Sequence, residues 1–224
     1  MDVLLLNFYD KLFENIINER MLSYQYKFPT GEVLNYIDNV NKIPVSEFLN
    51  YIRESNLCDS LTSRNIFQFS SLSDATDNLC RIIKCNNNPG YNAKELGKIL
   101  LDDGKIRNDV AFTKYGENHG KTGVDFGLLY SLSNTYLLSC LGYVFNDLDI
   151  RTQRALFLRL LLRNTLVMYI LKKTMQGQLV DRHSFVAISD STYIRRKSNI
   201  HKVLSILTEQ QEYDFSDMLK MVQL

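Results

Sequence analysis

The chain predicts a mainly α fold: a helical N-terminal extension followed by two helix–helix–turn–helix repeats with short β-hairpins. Three observations predict it. Apolar residues recur at three- and four-residue spacing over most of the 224 residues. Breaks rich in Asn, Asp, Gly and Pro divide these stretches into helix-sized pieces. One stretch, Leu129 to Ser139, changes period and becomes two short β-like runs around Ser133-Asn134.

Residues 3–26 read as an amphipathic helix, with Leu5, Phe8, Leu12, Ile16 and Met21 on one stripe and Asp10, Lys11, Glu14 and Glu19 off it. Pro29-Thr30-Gly31 breaks the chain. A short helix is expected over Glu32 to Val40. Another is expected over Val45 to Glu54, with Pro44 near its N1 position and Phe48, Tyr51 and Ile52 on its face. Phe67-Gln68-Phe69 alternates like a short strand. A helix from Ser73-Asp74 to about Lys84 turns Ala75, Leu79, Ile82 and Ile83 inward. After the break at 86–90, Asn92 and Glu95 spell a capping box for a helix with Leu96, Ile99 and Leu100 on its core side.

Asp102-Asp103-Gly104 then turns the chain into a third helix, Asn108 to Val124. Gly116 and Gly120 either admit close approach of another backbone or break that helix. The hairpin follows, then Leu141-Gly142 and a helix over Tyr143 to Leu148. Arg151 to Thr174 reads as one long helix, ended by Gln176-Gly177-Gln178. Asp181 to Ile188 is a short helix and Ser189-Asp190 a turn. Ser191 to Leu207 is the last helix, capped by Asp190 or Ser191, with Ile200, Val203, Leu204 and Leu207 as its buried stripe. The expected domains are 1–64, 65–148 and 149–224, the last ending in an acidic tail.

Net charge is only +1, but it is segregated. Residues 148–207 carry 11 Lys/Arg against 3 Asp/Glu, and residues 208–224 carry 1 against 4. A segment this basic either steers a phosphate backbone or forms a solvated basic face. Two groups stand out on the predicted helices. One is Lys114, Tyr115, Asn118, His119 and Lys121, preceded by Lys105 and Arg107. The other is Ser191, Thr192, Tyr193, Arg195, Arg196, Lys197 and Asn199, with Lys202 further along. Arg forks suit guanine edges, Asn suits adenine, and Ser or Thr at a helix N-terminus suits phosphate. The competing reading pairs the two arginines with the tail residues Glu209, Glu212, Asp214 and Asp217.

Catalytic signatures are missing from the sequence. Glu95 to Lys98 and Asp103-Gly104-Lys105 do not meet the spacing and strand context of a PD-(D/E)xK nuclease. Asn118-His119 lacks the rest of an HNH site. His183 and His201 have no cysteine near them for zinc. Neither a phosphate-binding glycine loop nor a Gly-x-Ser-x-Gly elbow occurs. No catalytic residue, metal or cofactor is therefore expected. The start MDVLLLNFYDKLF has no basic n-region, and Arg159 and Arg163 interrupt the apolar run Ala155 to Leu171. A cytoplasmic location without a membrane partner is expected, with Cys58, Cys80, Cys85 and Cys140 reduced.

The order helix, helix, turn, helix, hairpin, helix is that of a winged helix. FGLLYSLSNTYLLSCLGYVFNDL resembles the wing of such domains, with a Gly-Leu pair before the hairpin and a Leu-Gly pair after it. SDSTYIRRKSNI is similar to an element of winged-helix domains in prokaryotic restriction–modification and related defence proteins. Residues 66–207 thus resemble tandem winged-helix domains of the kind that form the DNA-recognition part of restriction and nicking endonucleases. The resemblance implies a sequence-reading, non-catalytic partner of double-stranded DNA, working with a separate nuclease or methyltransferase. A protein-interaction winged-helix subunit, a plasmid replication initiator and a transcription regulator are the alternatives.

Overall fold

The computed structural model describes residues 30–55, 60–85 and 90–224. The helix expected over residues 3–26 lies outside them. The described chain is mainly helical, with one small antiparallel sheet. It divides into two compact units. The first takes the described residues up to Asn41 together with Phe69–Arg154; the second takes Lys42–Gln68 and Ala155–Leu224. Three consecutive blocks were expected. The division is interleaved instead, because residues 42–68 pack with the C-terminal part.

In the first unit, α1 (Thr30–Lys42) buries Val33, Tyr36, Ile37 and Val40 at helical spacing. Beyond α2 (Val45–Glu54), which belongs to the second unit, the single helix expected from Ser73 to Lys84 is two pieces, α3 (Leu72–Ala75) and α4 (Asp77–Cys85). They part at Thr76, whose backbone leaves the helical region and whose hydroxyl donates to the Leu72 carbonyl at 3.0 Å. Next come β1 (Tyr91–Asn92), α5 (Ala93–Leu100), α6 (Asp109–Asp125), β2 (Leu129–Leu132), β3 (Thr135–Leu138) and α7 (Cys140–Phe145).

The Asn92–Glu95 capping box forms as expected, with both reciprocal bonds at 2.8–3.0 Å. Strand order is β1-β3-β2, all antiparallel. Ser133 and Asn134 both have positive φ, 48° and 64°, as a two-residue type I′ connection requires. Gly116 settles the alternative left open by the sequence. The helix runs through it, and a Cβ there would stand 1.9 Å from the Ala93 carbonyl oxygen. That missing side chain lets α5 and α6 cross with their backbones nearly in contact.

In the second unit, α2 (Val45–Glu54) follows Pro44 and buries Val45, Phe48, Leu49 and Ile52. It packs on α9 (Thr165–Met175). The long helix expected over Arg151–Thr174 is α8 (Ile150–Leu162) and α9, divided where the Asn164 side chain caps α9 by accepting from the Leu166 N–H at 3.0 Å. Asp181 to Ile188 forms only a short 3₁₀ turn, Arg182–Phe185. The last helices are α10 (Asp190–Thr208) and α11 (Ser216–Leu219). Ser189, not Asp190 or Ser191, holds the N-cap position of α10. Residues 149–224 contain no hairpin; Val180 and Val222 make an isolated parallel bridge there. The second hairpin wing expected from the sequence does not form. Phe67 and Phe69 are buried on either side of exposed Gln68, as alternation predicts, but the segment joins no sheet.

Candidate nucleic-acid interface

Extended segments outside a sheet leave their carbonyls in need of donors. In the second unit, basic and amide side chains supply them. Lys172 Nζ donates to the Ser55 carbonyl, at the C-terminus of α2, at 2.5 Å. Arg159 donates to the Ile43 carbonyl at 2.8 Å, and its guanidinium also grips the Glu212 carboxylate. Arg196 donates to the carbonyls of Ser63 and Ile66. The Asn199 amide donates to the Phe67 carbonyl at 2.9 Å. Three of the eleven cations that the sequence concentrates in 148–207, Arg159, Lys172 and Arg196, are therefore turned inward, where with Asn199 they hold the carbonyls of Ile43, Ser55, Ser63, Ile66 and Phe67.

This divides the second group of predicted residues by helix face. Tyr193 and Asn199 are buried, and Arg196 is half-buried and held by main-chain carbonyls. None of the three is presented to a DNA groove, contrary to the expectation. The reason is the buried stripe itself: Tyr193, Arg196, Ile200, Val203 and Leu207 lie on one side of α10. The Tyr193 ring packs 5.4 Å from Phe185 and lies under the Arg182 guanidinium at 4.9 Å. Lys197 and Thr192 are half-buried. Ser191, Arg195 and Lys202 are exposed.

The exposed side of α10 adds Ile194, Ser198, His201 and Ser205, which the sequence reading missed. Ser191, Ile194, Arg195, Ser198, His201, Lys202 and Ser205 share it. Their spacing of three and four was visible once Ile200, Val203 and Leu207 fixed the inner side. Arg195 is folded back along the helix, with Nε 3.1 Å from the Ser191 carbonyl and Nη2 3.3 Å from Thr192 Oγ1. Asp190 is matched by Arg182, which donates to the same carboxylate oxygen at 2.9 and 2.6 Å. No acidic residue occurs from Ser191 to Thr208. The acidic tail does not engage the two arginines in the way the competing reading supposed: Glu212 pairs with Arg159 and Asp217 with Lys220.

On α6 of the first unit, Lys114 and Lys121 are exposed and Asn118 is half-buried. His119 is only 1% exposed, so it does not face a groove. Its Nδ1 lies 2.8 Å from the Tyr115 carbonyl oxygen, which fixes the proton there and leaves Nε2 to accept from the Ser70 N–H at 3.4 Å. Burial pulls the His119 pKa below its ordinary value, against the Tyr115 carbonyl and Asp74, which raise it. The Tyr115 ring stacks on His119 at 4.1 Å; its hydroxyl donates to Asp74 and accepts from Ser70, both at 2.8 Å. Tyr115 and His119 thus pin α6 to residues 70–74. Three cations on or near α6 are balanced locally. Lys94 pairs with Asp109, Arg107 with Asp103 and Lys121 with Glu117.

No protein-family model, curated protein or solved structure matches the chain. The geometry alone therefore separates the two faces. That of α10 is cationic and polar, on a helix whose own sequence has no carboxylate from Ser191 to Thr208, whereas α6 carries carboxylates among its lysines. Among the described residues no cluster of three or more His, Cys, Asp or Glu side chains is placed to hold a metal. No helix among them is long and apolar enough to cross a membrane.

Proposed function

We propose that the chain is a DNA-binding protein that lays the outer face of α10 into the major groove of a duplex. One observation carries the reading: Ser191, Arg195, Ser198, His201, Lys202 and Ser205 line one side of a 19-residue helix with no carboxylate between Asp190 and Glu209. A helix of that length spans roughly 28 Å, enough to place its N-terminal half against base edges and its remainder along the phosphates. Arg195 and Lys202 attract the backbone, and Ser191 and Ser198 offer short hydrogen bonds at the groove floor.

In the first unit, the order α4, β1, α5, α6, β2, β3 with sheet order β1-β3-β2 supports reading it as a winged helix. The carboxylates among the lysines of its α6 give it a supporting rather than a leading part. The similarity of the 189–200 segment to restriction–modification proteins favours a recognition role, with catalysis supplied by a separate nuclease or methyltransferase. A second reading, docking of a protein partner on the first unit, is favoured by fully exposed Ile106 and exposed Val110 at the start of α6.

Salt-titrated fluorescence anisotropy with a random-sequence 20-base-pair duplex pool tests the proposal. Binding should fall steeply with salt. Arg195→Ala/Lys202→Ala should flatten the slope by about two units and weaken binding roughly 10-fold or more at low salt. Arg196→Ala should instead lower stability, since its guanidinium is an internal donor. Absence of duplex binding at 50 mM salt would refute the proposal.

A further inference from the structure

Ile194 breaks the pattern of the α10 outer face. Its neighbours along the helix surface are Ser191, Arg195, Ser198 and His201, all polar, yet Ile194 is a large β-branched side chain left 71% exposed. The same helix has five other large aliphatics; it buries Ile200, Val203, Leu204 and Leu207 and half-buries Ile206, which leaves Ile194 as the exposed one. Isoleucine has no advantage at an exposed helix position. It is a poorer helix former than Ala, Lys or Arg, and it exposes apolar area to water. Single exposed aliphatics are common on surfaces. This one stands between Ser191 and Ser198 along the face, one residue before an arginine that is already oriented.

That orientation matters. With Nε on the Ser191 carbonyl and Nη2 on Thr192 Oγ1, the Arg195 guanidinium is drawn back toward the N-terminal turn, close to the level along the helix at which Ile194 projects. A guanidinium and a branched aliphatic at one level fit two adjacent base pairs in a major groove. The guanidinium donates to guanine O6 and N7, and the aliphatic packs on the C5-methyl of thymine. Thymine is the one base whose major-groove edge presents a methyl group, so an apolar side chain among serines is a means of telling it from cytosine.

Resting on the proposed docking of α10, we infer that Ile194 reads a thymine methyl next to a guanine contacted by Arg195. The protein then favours sites containing a TG or GT step. No bond is made or broken; the discrimination is the removal of one methyl group and one aliphatic surface from water. Each methyl contact should contribute about three- to fivefold in affinity.

The test uses the full chain. A random 20-base-pair duplex pool is enriched by successive rounds of binding and then copied twice, once with dTTP and once with dUTP. Deoxyuridine keeps every hydrogen-bonding group of thymine and lacks only the methyl. The wild type should bind the thymine copy about three- to fivefold more tightly or better. Ile194→Ala should lose that preference while still binding both copies, and TG or GT steps should dominate the enriched sequences. Equal wild-type affinity for the two copies overturns the inference while leaving DNA binding by α10 in place. A thymine preference kept undiminished by Ile194→Ala also overturns it, by assigning the effect to duplex shape. Failure of the wild type to enrich any duplex overturns both the inference and the function on which it rests.

Discussion

Removing Glu212 should cost the second unit more than removing Arg159, although Glu212 is the exposed partner. The Arg159 side chain is 1% exposed and the Glu212 side chain 40%. In the folded protein the guanidinium donates to the carboxylate through both terminal nitrogens, to the Ala155 carbonyl at 3.1 Å and to the Ile43 carbonyl at 2.8 Å. Glu212→Ala takes away the carboxylate that a buried cation grips with both terminal nitrogens. Breaking a fully buried pair this way costs about 3–5 kcal/mol. Water can reach the Glu212 side, so about 2–3 kcal/mol is expected. Glu212→Gln keeps one acceptor oxygen and should cost about 1–2 kcal/mol. Arg159→Met fills the buried channel with a stem of similar length and leaves a carboxylate that can hydrate. Its cost is the lost hydrogen bonds to two carbonyls, about 1–2 kcal/mol.

The two units need not unfold together, so a single global midpoint is the wrong readout. Native-state hydrogen exchange across a urea series, followed by mass spectrometry on peptides from α8, α9 and α10, isolates the second unit. The reasoning is refuted if Arg159→Met is the costlier change, or if Glu212→Ala costs less than about 0.5 kcal/mol, the usual range of a surface pair.

Gly116→Ala should destabilise the first unit by at least about 2 kcal/mol, because the new methyl meets the Ala93 carbonyl and α5 must move away from α6. Helix propensity alone predicts the opposite, a gain of about 1 kcal/mol, so the sign of the change in hydrogen-exchange stability of α5 and α6 decides between the two. For His119, burial holds the folded pKa below the unfolded value. Its contribution to stability is therefore fully present above about pH 6.5 and declines as pH falls from there toward the folded value. Urea midpoints of the first unit between pH 7.5 and 5 should show this slope, and His119→Gln should remove the His119 part of it. Identical slopes in the two proteins would contradict the downward shift that burial imposes on His119.

Local chemistry made a good part of the first unit legible in the sequence. The Asn92–Glu95 capping box, the Ser133-Asn134 turn and the strands on either side of it depend on residues within a few positions of one another. They form as expected. The breaks at Thr76 and at Arg163-Asn164 were missed because apolar spacing runs unbroken through them. What divides the helices there is a threonine hydroxyl or an asparagine cap, and neither interrupts a hydrophobic pattern. The candidate site was legible as a helix but not as a face. Arg196 and Asn199 look like DNA contacts beside Arg195 and Lys197, and only the three-dimensional placement of 63–67 reveals that they serve carbonyls 130 or more residues away. Composition could not separate a cation that seeks phosphate from one that seeks a carbonyl, since both leave the same net charge.

The interleaving of the two units bears on the order of events during synthesis. Residues 42–68 leave the ribosome well before their partners, and Phe67 precedes Asn199 by 132 positions. At roughly 5–20 residues per second, that segment waits about 7–26 seconds for the helix that receives it. Phe48, Ile52 and Phe67, all buried in the finished protein, are without that cover in the meantime. Completion of the Phe69–Arg154 region during this interval shortens the effective loop that the late segment must close. A circular permutant that begins at Phe69, with residues 1–68 linked after Leu224, makes residues 42–68 after their partners and should fold with less aggregation.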